Sequence, residues 1–309
     1  MKKVLVFLLC VFVWQTVPAV APVKIIVPYS VGGPADQAAR IIQSALSQEL
    51  QRPVIVENRP GAGGSIGVMA AVQADSKEQV LLLTGASPVL SSLVEQPPAF
   101  SANQLIPISY VGNMEYILVS TNKFKARSIT DWRKIDKSQP ITMGTSGVGS
   151  GTETITISFN HIMNKNVVLV PYKGIAPMFT DLLAGHLDSG FMAGATAHDS
   201  IKNNKLTAIA TTSSNRLPEF PNVPTMKEMG VNRLVNLSWM MIFSNQNNDP
   251  VLIKNVQQKL SNIMQDPGVI KKIKQIGIDS TPPALSLQGF YEEEQNKFFK
   301  FNQQKQQQK

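Results

Sequence analysis

The 309-residue sequence has very little cysteine and histidine, and this scarcity excludes several kinds of site. Its single cysteine, Cys10, cannot form an intramolecular disulfide, and one cysteine with three histidines cannot build a Cys/His metal cluster. We therefore expect no metal site. The 20 glycines and 20 prolines are ordinary for an α/β protein with many loops, and they exclude a collagen-like or disordered chain.

The chain also lacks a concentrated charge of either sign. Lysine and arginine number 29 against 21 aspartates and glutamates, a formal net charge of +8, but the basic residues are scattered along the sequence. Nucleic-acid-binding proteins usually carry a basic stripe interleaved with aromatic residues, so we expect no nucleic-acid partner. The mild basic excess instead favours acidic solutes.

Only one long apolar run occurs, and it lies at the N-terminus. Residues 4–14 are all apolar, follow Lys2 and Lys3, and precede the small residues Ala19 and Ala21. Eleven residues are too few to cross a membrane, which takes about 20. The pattern predicts a cleaved secretory signal peptide over residues 1–21, and hence an exported, cysteine-free mature protein.

Short β-branched runs alternate with amphipathic helical patterns along the mature chain. Residues 23–27, 54–56 and 80–84 are predicted strands, each followed by a loop and a helix. A second series of strands, loops and helices begins at residue 141. This alternation predicts an α/β fold, with a parallel sheet covered by helices on both faces, in two similar halves.

Glycine-bearing loops follow three of the predicted strands, at residues 29–36, 61–65 and 144–152. Ligands of open α/β sheets lie beyond the carboxyl ends of the strands, and a helix N-terminus offers free N–H groups to an anion. The three loops therefore predict a site for a carboxylate or phosphate. The alternative is that they are only tight turns and helix starts.

Sequence motifs of nucleotide-binding and hydrolytic enzymes are incomplete in these loops. Ser150 stands where a Walker A loop needs lysine, and Ile66 and Thr152 stand where a dinucleotide fingerprint needs its third glycine. Val148 stands where a nucleophile elbow needs its last glycine. We therefore expect no catalytic residues and no cofactor.

Two carboxylates keep an enzymatic alternative open. Asp36 or Asp188 could be the general base of an exported α/β enzyme acting on a carboxylate. Asp36 could equally stabilise the first turn of its own helix, because an acid there meets the positive end of the helix dipole. Asp188 could equally be a solvated residue at the start of a strand.

Five ordered segments resemble one family of solute receptors over nearly the whole mature chain. That family is the tripartite tricarboxylate transporter solute receptors, also called Bug proteins. The matching segments are IVPYSVGGPAD at 26–36 followed by Arg40, VENRPGAGG at 56–64, VPYKG at 170–174, DLLAG at 181–185 and PNVPT at 221–225.

The resemblance implies a type II periplasmic binding protein with two α/β lobes and a ligand cleft between them. Lobe one would comprise residues 22–122 plus 240–309, and lobe two residues 123–239. A monomer would close on a small organic anion, commonly a carboxylate, and deliver it to the membrane permease subunits of a tripartite tricarboxylate transporter. A receptor that serves a membrane sensor is the alternative that the sequence leaves open.

The resemblance also places the ligand-binding residues in loops of both lobes. Glu153 stands where family members often have a histidine, so this departure bears on ligand preference. The implied ligand-binding residues are Tyr29, Gly32, Gly33, Asp36, Gly64, Ser65 and Ser87 in lobe one, and Ser146, Gly149, Ser150, Thr152, Lys173 and Asp188 in lobe two.

Overall fold

The computed structural model describes residues 21–94, 97–147, 150–234 and 238–306. Residues 1–20, which make up nearly all of the predicted signal peptide, lie outside this part of the chain, as does Gly149. Within the described residues, no helix is both long enough and apolar enough to cross a membrane.

Strands and helices alternate along the described chain. The strands are β1 (Val23–Val27), β2 (Val54–Asn58), β3 (Gln79–Gly85), β4 (Leu105–Met114), β5 (Tyr116–Thr121), β6 (Pro140–Thr145), β7 (Asn166–Pro171), β8 (Ser189–Ala193), β9 (Leu206–Thr211), β10 (Trp239–Asn245) and β11 (Ile278–Asp279). The α-helices are α1 (Pro34–Leu50), α2 (Ser65–Val72), α3 (Ala86–Val94), α4 (Ile129–Lys134), α5 (Gly151–Met163), α6 (Ile175–Ala184), α7 (Gly194–Lys202), α8 (Pro250–Ile263), α9 (Pro267–Gln275) and α10 (Leu287–Gln306).

Helix α1 shows how the sequence specifies these elements. Pro34 occupies its first turn, where the missing N–H costs nothing and the fixed φ suits a helix. Ala38, Ile42 and Leu46 recur at a spacing of four and are buried against the sheet. The helix ends where Gln51 adopts the left-handed conformation and its N–H returns to the last turn.

The strands form two sheets, one in each lobe. The first has the order β11-β4-β10-β3-β1-β2, and the second has the order β7-β6-β8-β5-β9. The predicted parallel pairing is confirmed for β1 with β2 and β3, and for β6 with β7 and β8. Both sheets are mixed, because β10 runs antiparallel to β3 and β4, and β5 runs antiparallel to β8 and β9.

The chain crosses between the sheets earlier than the sequence predicts. The resemblance places residues 22–122 in lobe one, but β5, which lies within that range, hydrogen bonds to β8 and β9 of the second sheet. The first crossing is therefore at Glu115, the one residue between β4 and β5. The chain returns before β10, which begins at Trp239 in the first sheet.

Parallel pairing places the helix starts of each lobe along one edge of its sheet. The carboxyl ends of β1, β2 and β3 share an edge, and α1, α2 and α3 begin there. The carboxyl ends of β6, β7 and β8 likewise precede α5, α6 and α7. These two edges are where ligands of open α/β sheets bind.

Candidate ligand-binding site

Two hydrogen bonds join the helix starts of one lobe to those of the other. Ser30 Oγ, in the loop before α1, donates to the carbonyl oxygen of Lys173 before α6 over 3.2 Å. The hydroxyls of Ser87 in α3 and Thr154 in α5 are 3.1 Å apart. The predicted loops of both lobes therefore meet at one interlobe cleft.

Most helices that begin at this cleft have no side-chain cap. Among the described residues, no side-chain hydrogen bond caps α1, α2, α6 or α7, whose N-cap residues are Gly33, Gly64, Gly174 and Ala193. The first N–H groups of an α-helix lack partners within the helix, and they carry the positive end of its dipole. These four N-termini are thus suited to receive an anion.

Helices that begin elsewhere are capped in the ordinary way. Ser128 accepts a backbone N–H at the start of α4, Asp249 does so at α8, and Asp266 at α9. Such a cap is worth about 1 kcal/mol over alanine. Uncapped N-termini are therefore found at the cleft and not at these other helices. Helix α5 also begins at the cleft but is capped, by Ser150.

The buried carboxylate of Asp36 stabilises the loop between β1 and α1 by hydrogen bonds. The side chain is only 2% exposed, and its oxygens accept hydrogen bonds from Gly32 N at 2.9 Å, Arg40 Nε at 3.0 Å and Asn58 Nδ2 at 3.0 Å. Asn58 also donates to the carbonyl oxygen of Tyr29 at 3.1 Å. Asp36 thus shapes the loop that carries Gly32 and Gly33, and its own carboxylate is occupied by protein donors.

The ionisation of Asp36 follows from these contacts. Burial alone would raise its pKa, but the hydrogen bonds from Arg40, Gly32 N–H and Asn58, together with the charge of Arg40, hold the pKa below the ordinary value. The carboxylate therefore stays ionised at neutral pH. A base that is ionised but fully engaged by three donors is poorly placed to take a proton from a substrate.

Three hydroxyls of the loop before α5 form a cluster. Thr152 Oγ1 accepts the backbone N–H of Ser146 at 2.7 Å, and lies 2.9 Å from Ser146 Oγ and 3.1 Å from Ser150 Oγ. Ser150 Oγ also accepts the N–H of Glu153 at 3.2 Å. The structure thus brings together Ser146, Ser150 and Thr152 as predicted, and it buries Ser150 and Thr152. Glu153 lies in the first turn of α5, where an acid stabilises the helix dipole.

The remaining predicted residues of the cleft contribute mainly backbone. Lys173 offers its carbonyl oxygen to Ser30, while its side chain is exposed. Gly64 packs so closely that a Cβ there would lie 2.7 Å from Pro88 Cγ, and its φ is +106°, so only glycine fits without strain. Ser65 begins α2, and its hydroxyl has no hydrogen-bond partner within the described chain.

The placement predicted for Asp188 is wrong. It precedes β8, whereas the cleft lies beyond the last residue of that strand, Ala193, about 16 Å away at the ordinary strand rise. Its carboxylate accepts the N–H and the hydroxyl of Thr142, each at 2.8 Å, and so links β6 to the start of β8. The sequence allowed Asp188 as the start of a strand, but its partner Thr142, 46 residues earlier, is known only from the pairing of β6 with β8.

Two tyrosines meet between the helix starts. Tyr29 Oη accepts the N–H of Gly85 at 3.2 Å and lies 3.4 Å from Thr84 Oγ1. Burial raises the pKa of Tyr29, although these two contacts oppose the rise. Burial and the nearby Tyr29 raise the pKa of Tyr116, which the sequence analysis missed because its strand was not identified. Both phenols stay neutral hydrogen-bonding groups at physiological pH.

A cavity of about 1550 Å³ lies between the lobes beside the contact of α3 with α5. Its wall includes Ser87, Gly151, Thr154 and Gly194, at or near the first turns of α3, α5 and α7. Of the predicted residues that the structure describes, only Ser87 lines this cavity. Gly194 could have been found by the rule used for the other loops, since it is a glycine that follows a buried strand and begins a helix.

Nothing in the described residues resembles a metal centre. They include no group of three or more histidine, cysteine, aspartate or glutamate residues placed to hold a metal ion. What the cleft offers an anion is therefore backbone N–H groups, hydroxyls and the positive ends of helices.

Comparison with known proteins agrees with this geometry. A family model described as "Tripartite tricarboxylate transporter family receptor" matches residues 38–305. The chain belongs to this family. It is 31% identical over 262 residues to Protein BugT of Bordetella pertussis, an alignment that covers 83% of this chain and 80% of that protein.

Solved structures confirm the fold. The periplasmic binding protein BugD superposes with a TM-score of 0.82 at 24% identity, covering 92% of this chain and 97% of BugD. MatC from Rhodopseudomonas palustris, solved with bound malate, superposes with a TM-score of 0.81 at 20% identity, covering 90% of this chain and 98% of MatC. The two α/β lobes and the cleft between them are those of periplasmic binding proteins, and family and fold are those of solute receptors.

Proposed function

We propose that this protein is a periplasmic receptor that captures a small mono- or dicarboxylate between its lobes and delivers it to the permease subunits of a tripartite tricarboxylate transporter. The observation that carries the proposal is the set of bare helix N-termini at the cleft, on α1, α2, α6 and α7. A carboxylate would accept hydrogen bonds from these N–H groups and meet the positive dipole ends.

Binding without chemical conversion is supported by the state of the two candidate bases. Asp36 is engaged by Arg40, Asn58 and the N–H of Gly32, and Asp188 by Thr142 at the far edge of its sheet. A carboxylate ligand is further supported by MatC, whose solved structure contains malate. Transfer to a permease is supported by membership of the transporter receptor family.

The path of the chain supports hinge closure as the capture mechanism. The chain crosses between lobes at Glu115 and again before Trp239, and Met114 N donates to the carbonyl oxygen of Ser238 at 2.8 Å where the two crossings pair. Two short crossings allow the lobes to rotate as bodies. A ligand that contacts both lobes favours the closed form only by the contacts it gains there.

A thermal-shift screen against organic acids tests the proposed ligand class. A ligand that binds only the native state adds about 2.7 kcal/mol of stability at 100 times its Kd, which for a chain of this size raises Tm by roughly 4–5 °C. We expect such a rise with at least one mono- or dicarboxylate, and none with its neutral amide. The proposal fails if no carboxylate shifts Tm, or if the purified protein converts the ligand to a product.

Export is tested by sequencing the N-terminus of the secreted protein. Signal peptidase should remove the basic and apolar segment, so the mature protein is expected to begin between about residues 19 and 23. Periplasmic protein that still begins at Met1 would contradict export by a cleaved signal peptide.

A further inference from the structure

We propose that Glu115 makes closure of the two lobes sensitive to pH, so that the closed form becomes more favourable as the solution is acidified. The inference rests on the hinge closure of the proposed function, but not on the identity of the ligand.

Glu115 lies within the first crossing between the lobes. Met114 is the last residue of β4 in the first sheet, and Tyr116 is the first residue of β5 in the second. On the second-lobe side, Tyr116 N donates to Thr212 Oγ1 at 3.0 Å, and Thr212 N donates to the Tyr116 carbonyl oxygen at 2.8 Å. Glu115 is thus held between two fixed strands that belong to different lobes.

Carboxylates from both lobes line the same interlobe cavity as Glu115 and repel its ionised form. Asp279 belongs to β11 of the first sheet, and Glu219 lies in the connection between β9 and β10, beside Phe220, which is buried in the core of the second lobe. Lys274 of α9 is the one cation that acts on Glu115 in the described structure. Two carboxylates therefore act on Glu115 against one ammonium group, and neither Glu115 nor Glu219 forms an ion pair with any described residue.

The other charged groups of the cavity wall are largely paired with one another. Tyr110 of β4 stays neutral, because burial raises its pKa. His161 of α5 is exposed at the rim. The pairs are His198 with Asp199 in α7 at 2.9 Å, Arg216 with Glu228 at 3.0 Å, and Lys297 with Glu293 and Glu294 in α10 at 2.8 Å.

This environment disfavours the ionised form of Glu115 when the lobes are closed. Burial, Asp279 and Glu219 raise its pKa to about 7, against the opposing effect of Lys274. Opening moves Glu219 away with the second lobe and admits water, so the pKa falls toward the ordinary value. The closed form therefore binds the proton more tightly, and its advantage is complete at low pH and is lost as the pH rises through about 7.

Small-angle scattering of the exported, ligand-free protein at pH 5.5 and pH 8.0 tests the inference. We expect the radius of gyration, about 19 Å for a chain of this size, to be larger at pH 8.0 by roughly 1 Å. Glu115→Gln should show the small radius at both pH values, and Glu219→Gln, on an exposed loop, should show a reduced shift. Glu78→Gln, which removes a surface carboxylate paired with Lys24 at 3.1 Å, should behave as the native protein does.

Two outcomes would overturn the inference. One is a native radius that does not change with pH. The other is a pH shift that persists in Glu115→Gln, which would mean that Glu115 does not cause it. Failure of the carboxylate screen leaves this test standing, because scattering is measured without ligand. A pH-dependent radius with no carboxylate binding would refute the proposed ligand class while supporting the role of Glu115.

Discussion

Gly33→Asp is expected to weaken capture of a carboxylate strongly while leaving the fold at least as stable as before. Gly33 is the N-cap of α1, with φ −74° and ψ 166°, the extended conformation that N-cap residues adopt. A Cβ at Gly33 would meet only the carbonyl oxygen of Ser30, at 3.6 Å, so the side chain has room. The new carboxylate would accept the N–H groups of the first turn and repel the ligand's own negative charge.

Gly33→Asp is expected to leave stability unchanged or raised but to lower affinity, so a loss of binding cannot be attributed to unfolding. Stability should stay the same or rise by a few tenths of a kcal/mol, since glycine is already a fair N-cap. Affinity for the carboxylate found in the screen should fall about 100-fold, equivalent to about 2.7 kcal/mol. Calorimetric titration and thermal unfolding measure the two effects.

Gly33→Ala is the matched control for this variant. It adds the same Cβ without an acceptor, so it should bind within a few-fold of the native protein. Equal loss of affinity in both variants would mean that shape and not charge matters at Gly33. Unchanged affinity in Gly33→Asp would remove the N-terminus of α1 from the site.

Asp36→Ala is expected to destabilise the protein by about 2–3 kcal/mol. The substitution leaves the N–H of Gly32 without its acceptor, removes one of the two acceptors of the Asn58 amide, and removes the carboxylate that pairs with Arg40. We place the loss below that of a fully buried ion pair, because the Arg40 side chain is half exposed and solvent stabilises its charge. Chemical denaturation of the native and variant proteins measures the difference.

The loss caused by Asp36→Ala should depend on pH in a defined direction. The folded-state pKa of Asp36 lies below its ordinary value, so its contribution is complete above about pH 4 and is lost as the pH falls through the folded-state pKa. The two proteins should therefore become more alike in strong acid. Asp266→Ala, which removes an ordinary cap from α9, should cost about 1 kcal/mol and serves as the control. If Asp36→Ala lowers the free energy of unfolding no more than Asp266→Ala does, the hydrogen bonds of Asp36 contribute no more than an ordinary helix cap.

Some elements of this fold were predictable because their signals are local. The strand at Val23–Val27 and the helix that follows it are specified by a β-branched run, a proline at the first turn and apolar residues spaced for a helix. The glycine loops were predictable for the same reason, and the structure brings loops of both lobes together. β4 was missed because its apolar residues are interrupted by Pro107 and Gly112, and its pairing with β10 contains register shifts.

The site was only partly predictable, because closeness in space depends on strand direction and lobe contact. Asp36 follows a predicted strand and Asp188 begins one, and the sequence left each open to a ligand or to a structural role. In the structure Asp36 accepts hydrogen bonds that fix the loop at the cleft, and Asp188 lies at the opposite edge of its sheet, bound to Thr142. Their partners Asn58 and Thr142 are distant in the sequence, so no local pattern shows which role each carboxylate takes.

The sequence by itself determined the α/β class, the glycine loops at strand ends and the resemblance to a receptor family, since these depend on periodicity, turn chemistry and ordered motifs. Only the tertiary structure decided which sheet β5 joins, which helix N-termini stay bare at the cleft, and that Asp279 and Glu219 act on Glu115. The physical reason is that hydrogen bonds between strands and charges across a hinge join residues far apart in the chain. Such pairings are fixed by the packing of whole elements and leave no periodic signal in the sequence.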